Sequence, residues 1–172
     1  MWQRFTESAR QVVYYAQEEA RQQGICGVTP SHLLFGLFRE SGTVAAHILD
    51  SLGINSEGIQ AQAISTSWPP APQNLAVPVI EVERMQLTEG SKRVIDAAYS
   101  EAKRLSNTYI GTEHLLLALV RNGSDAGGFF LDRGVTLENT RAEVARFQGI
   151  DLQNLPKTRN LWQRLFRKQS QI

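Results

Sequence analysis

YIGTEHLLLALV, residues 109–120, repeats a phrase used earlier in the chain: GVTPSHLLFGLF, residues 27–38. The histidine and the two leucines after it keep their places. The residue before the histidine does not, being Ser31 in one copy and Glu113 in the other. A shift of 82 aligns the halves without a gap from Phe5 to Asp50, with about a dozen identities over 46 positions. Thr6 and Glu7 fall on Thr88 and Glu89, and His32, Leu33 and Leu34 on His114, Leu115 and Leu116. Leu49 and Asp50 fall on Leu131 and Asp132. After one deletion, Gly53, Ile54 and Asn55 fall on Gly134, Val135 and Thr136. Two copies are too few for a solenoid, so we expect a pair packed face to face about a pseudo-twofold axis.

Each copy reads as four helices. The first opens at Thr6 or Thr88, an N-cap residue followed by an acid that suits the helix dipole. Its apolar stripe is Ala9, Val12, Val13, Ala16 and Ala20, or Ser91, Val94, Ile95, Ala98 and Ala102, at helical spacing. The second starts at Thr29 and Pro30, or at Gly111 and Thr112. It is apolar nearly all round, as a central buried helix should be. A short third helix covers roughly Thr43 to Ser51. A fourth starts at Asn55 or Thr136, each just after a glycine able to end the preceding helix. No run alternates with period two, so no strand is expected. The fold class is all-α.

The copies span residues 4–65 and 87–148. Between them, residues 66–86 carry four prolines and read as an extended linker, pinned by Trp68 and the stretch from Val77 to Val82. Residues 1–149 make one double-repeat domain. Residues 150–172 are a basic amphipathic tail: from Pro156 onward it carries +5 and no acid, within a total of +1.

The near-neutral total gives no field for nucleic acid. The single cysteine, Cys26, excludes an intrachain disulfide and is expected to be a small buried residue. No apolar run reaches the roughly 18 residues that span a membrane, and no signal-peptide pattern opens the chain. The expectation is a cytoplasmic protein.

RFTESARQVVYYAQEEAR at residues 4–21, YIGTEHLLLALV at 109–120 and LGINSEGI at 52–59 closely resemble the Clp repeat domain. This is the N-terminal domain of ClpC-type unfoldases, and the resemblance covers about residues 2–148. It implies two four-helix Clp repeats and a role in receiving protein substrates and adaptors for an ATP-driven ring that feeds a protease core. The ring is not here: the sequence contains no GxxxxGK[ST] phosphate loop. We expect a non-catalytic recognition protein of regulated proteolysis, its partners being substrates, adaptors, the Clp ATPase or the protease core. The alternative is the excised N-terminal domain of a full unfoldase.

The resemblance also assigns candidate residues. In the family, the glutamate of each GTEH motif recognises phosphoarginine. Gly111, Thr112 and Glu113 match that motif, while Thr29, Pro30 and Ser31 depart from it, so one of two sites survives. A carboxylate suits a guanidinium through charge-assisted bonds, and a helix N-terminus suits the phosphate. The plainer reading makes Glu113 an ordinary first-turn acid. Trp2, Phe5 and Leu87 stand where the family has aromatic residues lining a partner groove; Phe5 could equally be a hydrophobic staple. His32 and His114 read as structural histidines at a helix junction, since no set of metal ligands converges on them. No nucleophile elbow or HExxH appears, and neither enzyme activity nor a cofactor or metal is expected. In the tail, Trp162 and Phe166 with Arg164 and Arg167 form a short basic amphipathic face. Docking on a partner or on this domain, a linker role, and a membrane surface are its alternatives.

Overall fold

A computed structural model describes residues 2–55, 86–122 and 125–149. A single 3-10 turn, Trp2–Arg4, precedes α1 (Glu7–Gln22), β1 (Gly27–Val28), α2 (Pro30–Arg39) and α3 (Val44–Ser51). Then come β2 (Gln86–Leu87), α4 (Glu89–Arg104), α5 (Thr112–Arg121), α6 (Asp125–Leu131) and α7 (Leu137–Gln148). The structure is all-α in character. The linker residues before Gln86, most of the fourth helix of the first copy, and the tail with Trp162, Arg164, Phe166 and Arg167 lie outside the described residues.

Local chemistry sets the helix starts. Thr6 accepts from Ala9 N–H (3.2 Å), Thr43 from Ala46 N–H (3.2 Å), Thr88 from Ser91 N–H (3.3 Å) and Thr136 from Asn139 N–H (3.3 Å). Gly53 and Gly134 take positive φ, 78° and 70°, and close the turns after α3 and α6. The stripes on α1 and α4 are buried where their spacing places them. α5 is the centre of the core: every residue from Thr112 to Val120 is buried. α1 and α2 press together at Gly36, where a β-carbon would overlap the carbonyl oxygen of Val12. Its counterpart 82 residues on, Ala118, is also fully buried.

Three expectations need correction. Strand pairing exists, though each strand has only two residues, too few for any periodicity. β1 pairs parallel to β2 through Gly27 with Gln86 and Val28 with Leu87, and Phe5 makes a parallel bridge to Ile110. Cys26 is exposed, because it sits in the loop between α1 and β1 and not on a helix face. Phe5 is buried at 3% exposure, yet not as a staple: the residue four into α1 is the exposed Arg10, and Phe5 instead packs edge-on to Trp2 (5.0 Å) and to Tyr99 of α4 (6.1 Å).

The bridges tie the two copies reciprocally. The lead-in to α1 joins the loop before α5, with Thr6 N–H donating to Ile110 O (3.0 Å) and Ile110 N–H to Arg4 O (2.8 Å). The lead-in to α4 joins the loop before α2, with Thr88 N–H donating to Val28 O (3.0 Å). Residues 6 and 88, like 28 and 110, are 82 apart.

Candidate functional site

The site at the start of α5 is built by a histidine. His114 is the third helical residue, and its Nδ1 accepts the N–H of Gly111 (2.9 Å), reaching back to the N-cap as a glutamate does in a capping box. His32 does the same for Thr29 N–H (3.0 Å). Both rings are fully buried, and burial pushes each down to about 4; for His114, Glu101 partly opposes this. A neutral imidazole that accepts at Nδ1 carries its proton on Nε2. His32 Nε2 lies 3.1 Å from Gln23 Oε1, at the end of its own α1. His114 Nε2 lies 3.0 Å from the amide of Asn107, in the loop before α5. Among the described residues no group of three His, Cys, Asp or Glu side chains is placed to hold a metal ion.

The copies differ most around the N-cap. Thr29 caps α2 with its hydroxyl, accepting from His32 N–H (3.4 Å). Gly111 has no side chain, and Glu113 fills the space: a β-carbon at 111 would overlap both carboxyl oxygens. Glu113 is 3% exposed and accepts its own backbone N–H. Its Oε1 lies 3.3 Å from His114 Nδ1 and accepts from Gln148 Nε2 (3.3 Å), in the last turn of α7. Burial pushes the Glu113 carboxyl up, against the pull of that backbone bond. Gly111 and Glu113 are therefore a matched pair, and the first copy has neither member: Thr29 carries a side chain where Gly111 has none, and Ser31 carries no carboxyl. Thr112 turns away from this site, accepting Ala45 N–H (3.3 Å) at the start of α3.

A cleft of about 540 Å3 is lined by Arg4, Tyr99, Lys103, Ser106, Asn107 and Tyr109 among others, with no acid in its walls; Asn107, which meets His114 and Gln148, joins it to the surroundings of Glu113. Tyr109 stands edge-on to His114 (5.9 Å), and burial and the nearness of Glu113 raise its phenol. The cleft walls carry two cations, Arg4 and Lys103, and Glu113 is not among the residues that line it. Sequence reasoning missed Arg4, Asn107 and Gln148, which have no counterpart in the repeat pattern.

The groove candidates separate. Phe5 is core, Leu87 is partly buried in the β1–β2 bridge, and Trp2 stays exposed at 37%. A second unforeseen feature is Glu101, buried at 1% exposure on α4. Arg141 of α7 grips both its oxygens, and Arg121 of α5 (3.4 Å) and Arg104 (3.9 Å) stand beside it. Its counterpart Glu19 accepts only the amide of Gln23 (2.8 Å) among its hydrogen bonds in the described residues.

Comparison with known proteins agrees with this architecture. The negative regulator of genetic competence ClpC/MecB of Bacillus subtilis (strain 168) is 36% identical over 150 residues, which are 87% of this chain and 18% of that protein. The chain therefore spans under a fifth of that relative's length. The N-terminal domain of the chaperone ClpD from Arabidopsis thaliana superposes with a TM-score of 0.64 at 24% identity, covering 86% of this chain and 97% of that one. A ClpV N-domain solved in complex with a VipB peptide gives 0.62 at 15%, covering 83% and 85%. The profile of the Clp repeat (R) N-terminal domain matches residues 4–133. By fold, by repeat and by this match, the chain belongs to the Clp repeat N-terminal domain family.

Proposed function

We propose that this domain is a non-catalytic recognition module that receives protein ligands for a Clp machine, and that the α5 site takes phosphoarginine. One observation carries the second part: a cleft rimmed by Arg4 and Lys103 shares Asn107 and Tyr109 with the surroundings of a buried carboxyl at a helix N-terminus. Phosphoarginine is a guanidinium and a phosphate in one side chain. Glu113 would pair with the first through charge-assisted bonds, and the cations would take the second. Thr29 and Ser31 leave the first copy without such a carboxyl, so the stoichiometry is one.

A second mode of binding has its own support. Trp2 is a large aromatic left exposed and edge-on to the buried Phe5, and a ClpV N-domain was solved in complex with a VipB peptide. An apolar peptide segment could settle there, Trp2 acting as its anchor. Both modes fit a stand-alone accessory protein and the N-domain of a full unfoldase alike.

Calorimetric titration of phosphoarginine, with free arginine as control, tests the first reading. The wild type should bind one equivalent. Glu113→Ala should bind none, and Lys103→Ala, at the exposed rim, should bind more weakly while folding normally. Absence of wild-type binding would withdraw phosphoarginine and leave the Trp2 surface as the recognition site.

A further inference from the structure

The Glu113 carboxyl is covered by a side chain from another element. Gln148, the last residue of α7, places its amide nitrogen 3.3 Å from Glu113 Oε1 and its amide oxygen 3.3 Å from the Asn107 amide. Asn107 in turn meets His114 Nε2 at 3.0 Å. A closed relay results: Glu113, Gln148, Asn107, His114 and back to Glu113 Oε1, 3.3 Å from His114 Nδ1. Immediately beyond Gln148 the chain turns at Gly149, with φ 67°. The side chain thus sits on a terminal turn, the part of a helix that opens most easily.

The polarity of this relay is constrained. With Nδ1 accepting from Gly111, His114 Nε2 can only donate, so the Asn107 amide, whose nitrogen stands 3.0 Å from Nε2, must make a half-turn to present its oxygen. The Gln148 atom facing that oxygen is then nitrogen, and a half-turn of its amide sets its oxygen against Glu113. Two oxygens pair only if the carboxyl is protonated and donates. In the opposite state, which keeps the two amide orientations of the structure, Glu113 is ionised, Gln148 points its NH2 at the carboxylate, and Asn107 donates to a bare Nε2. His114 then carries its proton on Nδ1, towards Glu113 Oε1, and gives up the bond from Gly111. The two states differ by one proton, lost from Glu113 to solvent. His114 remains neutral and exchanges tautomers. The loss of the Gly111 bond favours the protonated state.

We propose that Gln148 and this relay form a proton-linked gate on the Glu113 site, closed by the Gln148 amide over a protonated carboxyl and opened when a guanidinium displaces the amide and the proton leaves. The proposal rests on the reading of Glu113 as a guanidinium receptor. An amide NH2 is a neutral, single-pronged stand-in for the guanidinium fork, so the charged ligand has the stronger hold on an ionised carboxylate. The other ionisable groups facing the relay are Tyr109 from the preceding loop and Glu101 from α4, the latter tied to Arg141 of α7 and Arg121 of α5. Arg146 of α7 is exposed and pairs outward with Glu143 (3.6 Å), and α3 contributes the Ala45 amide through Thr112 and His47, which stacks on Phe147 of α7 (6.1 Å). The first copy has no such gate: Ser31 offers no carboxyl.

Two readouts on the full chain separate the gate from the reading beneath it. Long-range proton–nitrogen NMR spectra of the imidazole rings need no ligand. As pH is raised across the range in which the protein stays folded, His114 should pass from the Nε2–H to the Nδ1–H tautomer, while His32 stays Nε2–H throughout. A single His114 tautomer over that range overturns the proton link. Titration of phosphoarginine into Gln148→Ala should give about tenfold tighter binding than wild type, roughly the strength of one hydrogen bond to be displaced. Equal affinity overturns the gate and leaves the receptor standing. No binding to either protein overturns both, even if the tautomer switches.

Discussion

His32 and His114 set how the molecule responds to acid. Each ring is neutral in the fold, held near 4 against an ordinary value of 6.5. A buried histidine with a depressed pKa stabilises the fold fully above pH 6.5. As pH falls towards 4, the unfolded chain takes up protons that the native rings refuse. Stability should therefore fall by ~1.4 kcal/mol per pH unit for each ring. The raised Glu113 carboxyl works the other way: its contribution is present in acid and is lost as pH rises through its folded value. Denaturant unfolding at several pH values should show the acid slope, and His32→Gln should reduce it by one ring's share, ~1.4 kcal/mol per pH unit. An unchanged slope would mean that the ring is charged in the fold. The histidines were legible because they recur 82 residues apart before the same two leucines. Gln148, Asn107 and Arg4 were not, because periodicity says which face of a helix is buried, never which side chain of another element meets it. Glu101 was hidden for the same reason: it lies on the buried stripe of α4, and its arginine partners stand 20 and 40 residues away.

At the scale of elements, α1 and α2 of the first copy approach closely at Gly36. Adding a methyl there puts carbon into the Val12 carbonyl, which is backbone and cannot rotate aside. Gly36→Ala should cost about 1–3 kcal/mol, by overpacking. Ala118→Gly, at the matching place, should cost nearer ~1 kcal/mol, as a glycine in a helix interior. Equilibrium unfolding measures both, and a neutral Gly36→Ala would mean that the helices can part without penalty. Helix number, caps and buried faces within the described residues followed from the sequence, since threonine caps, glycine stops and a 3.6-residue stripe are local signals. The paired strands and the true seat of Phe5 did not. A two-residue strand has no pattern of its own, and Phe5 is held by Tyr99 of the other copy.

Across the whole molecule, the copies are joined by what each lends the other. Thr6 N–H is bonded to the loop of the second copy, Thr88 N–H to the loop of the first, and α5 supplies the shared core. The two copies should therefore unfold in one transition. In native-state hydrogen exchange the amides of Thr6, Thr88 and Ile110 should open together, at the free energy of global unfolding. Earlier release of one lead-in would show the copies to be separable folding units. That bonding pattern bears on ancestry and on dissection alike. A half-molecule keeps a lead-in with nothing to bind and a loop with nothing bound to it, so it is sticky in one defined way. Two complementary halves supplied as separate chains have the means to find each other. A single half has the same means to find its twin, residue 6 of one against residue 28 of the other, which is how an unduplicated forerunner could have held together as a dimer.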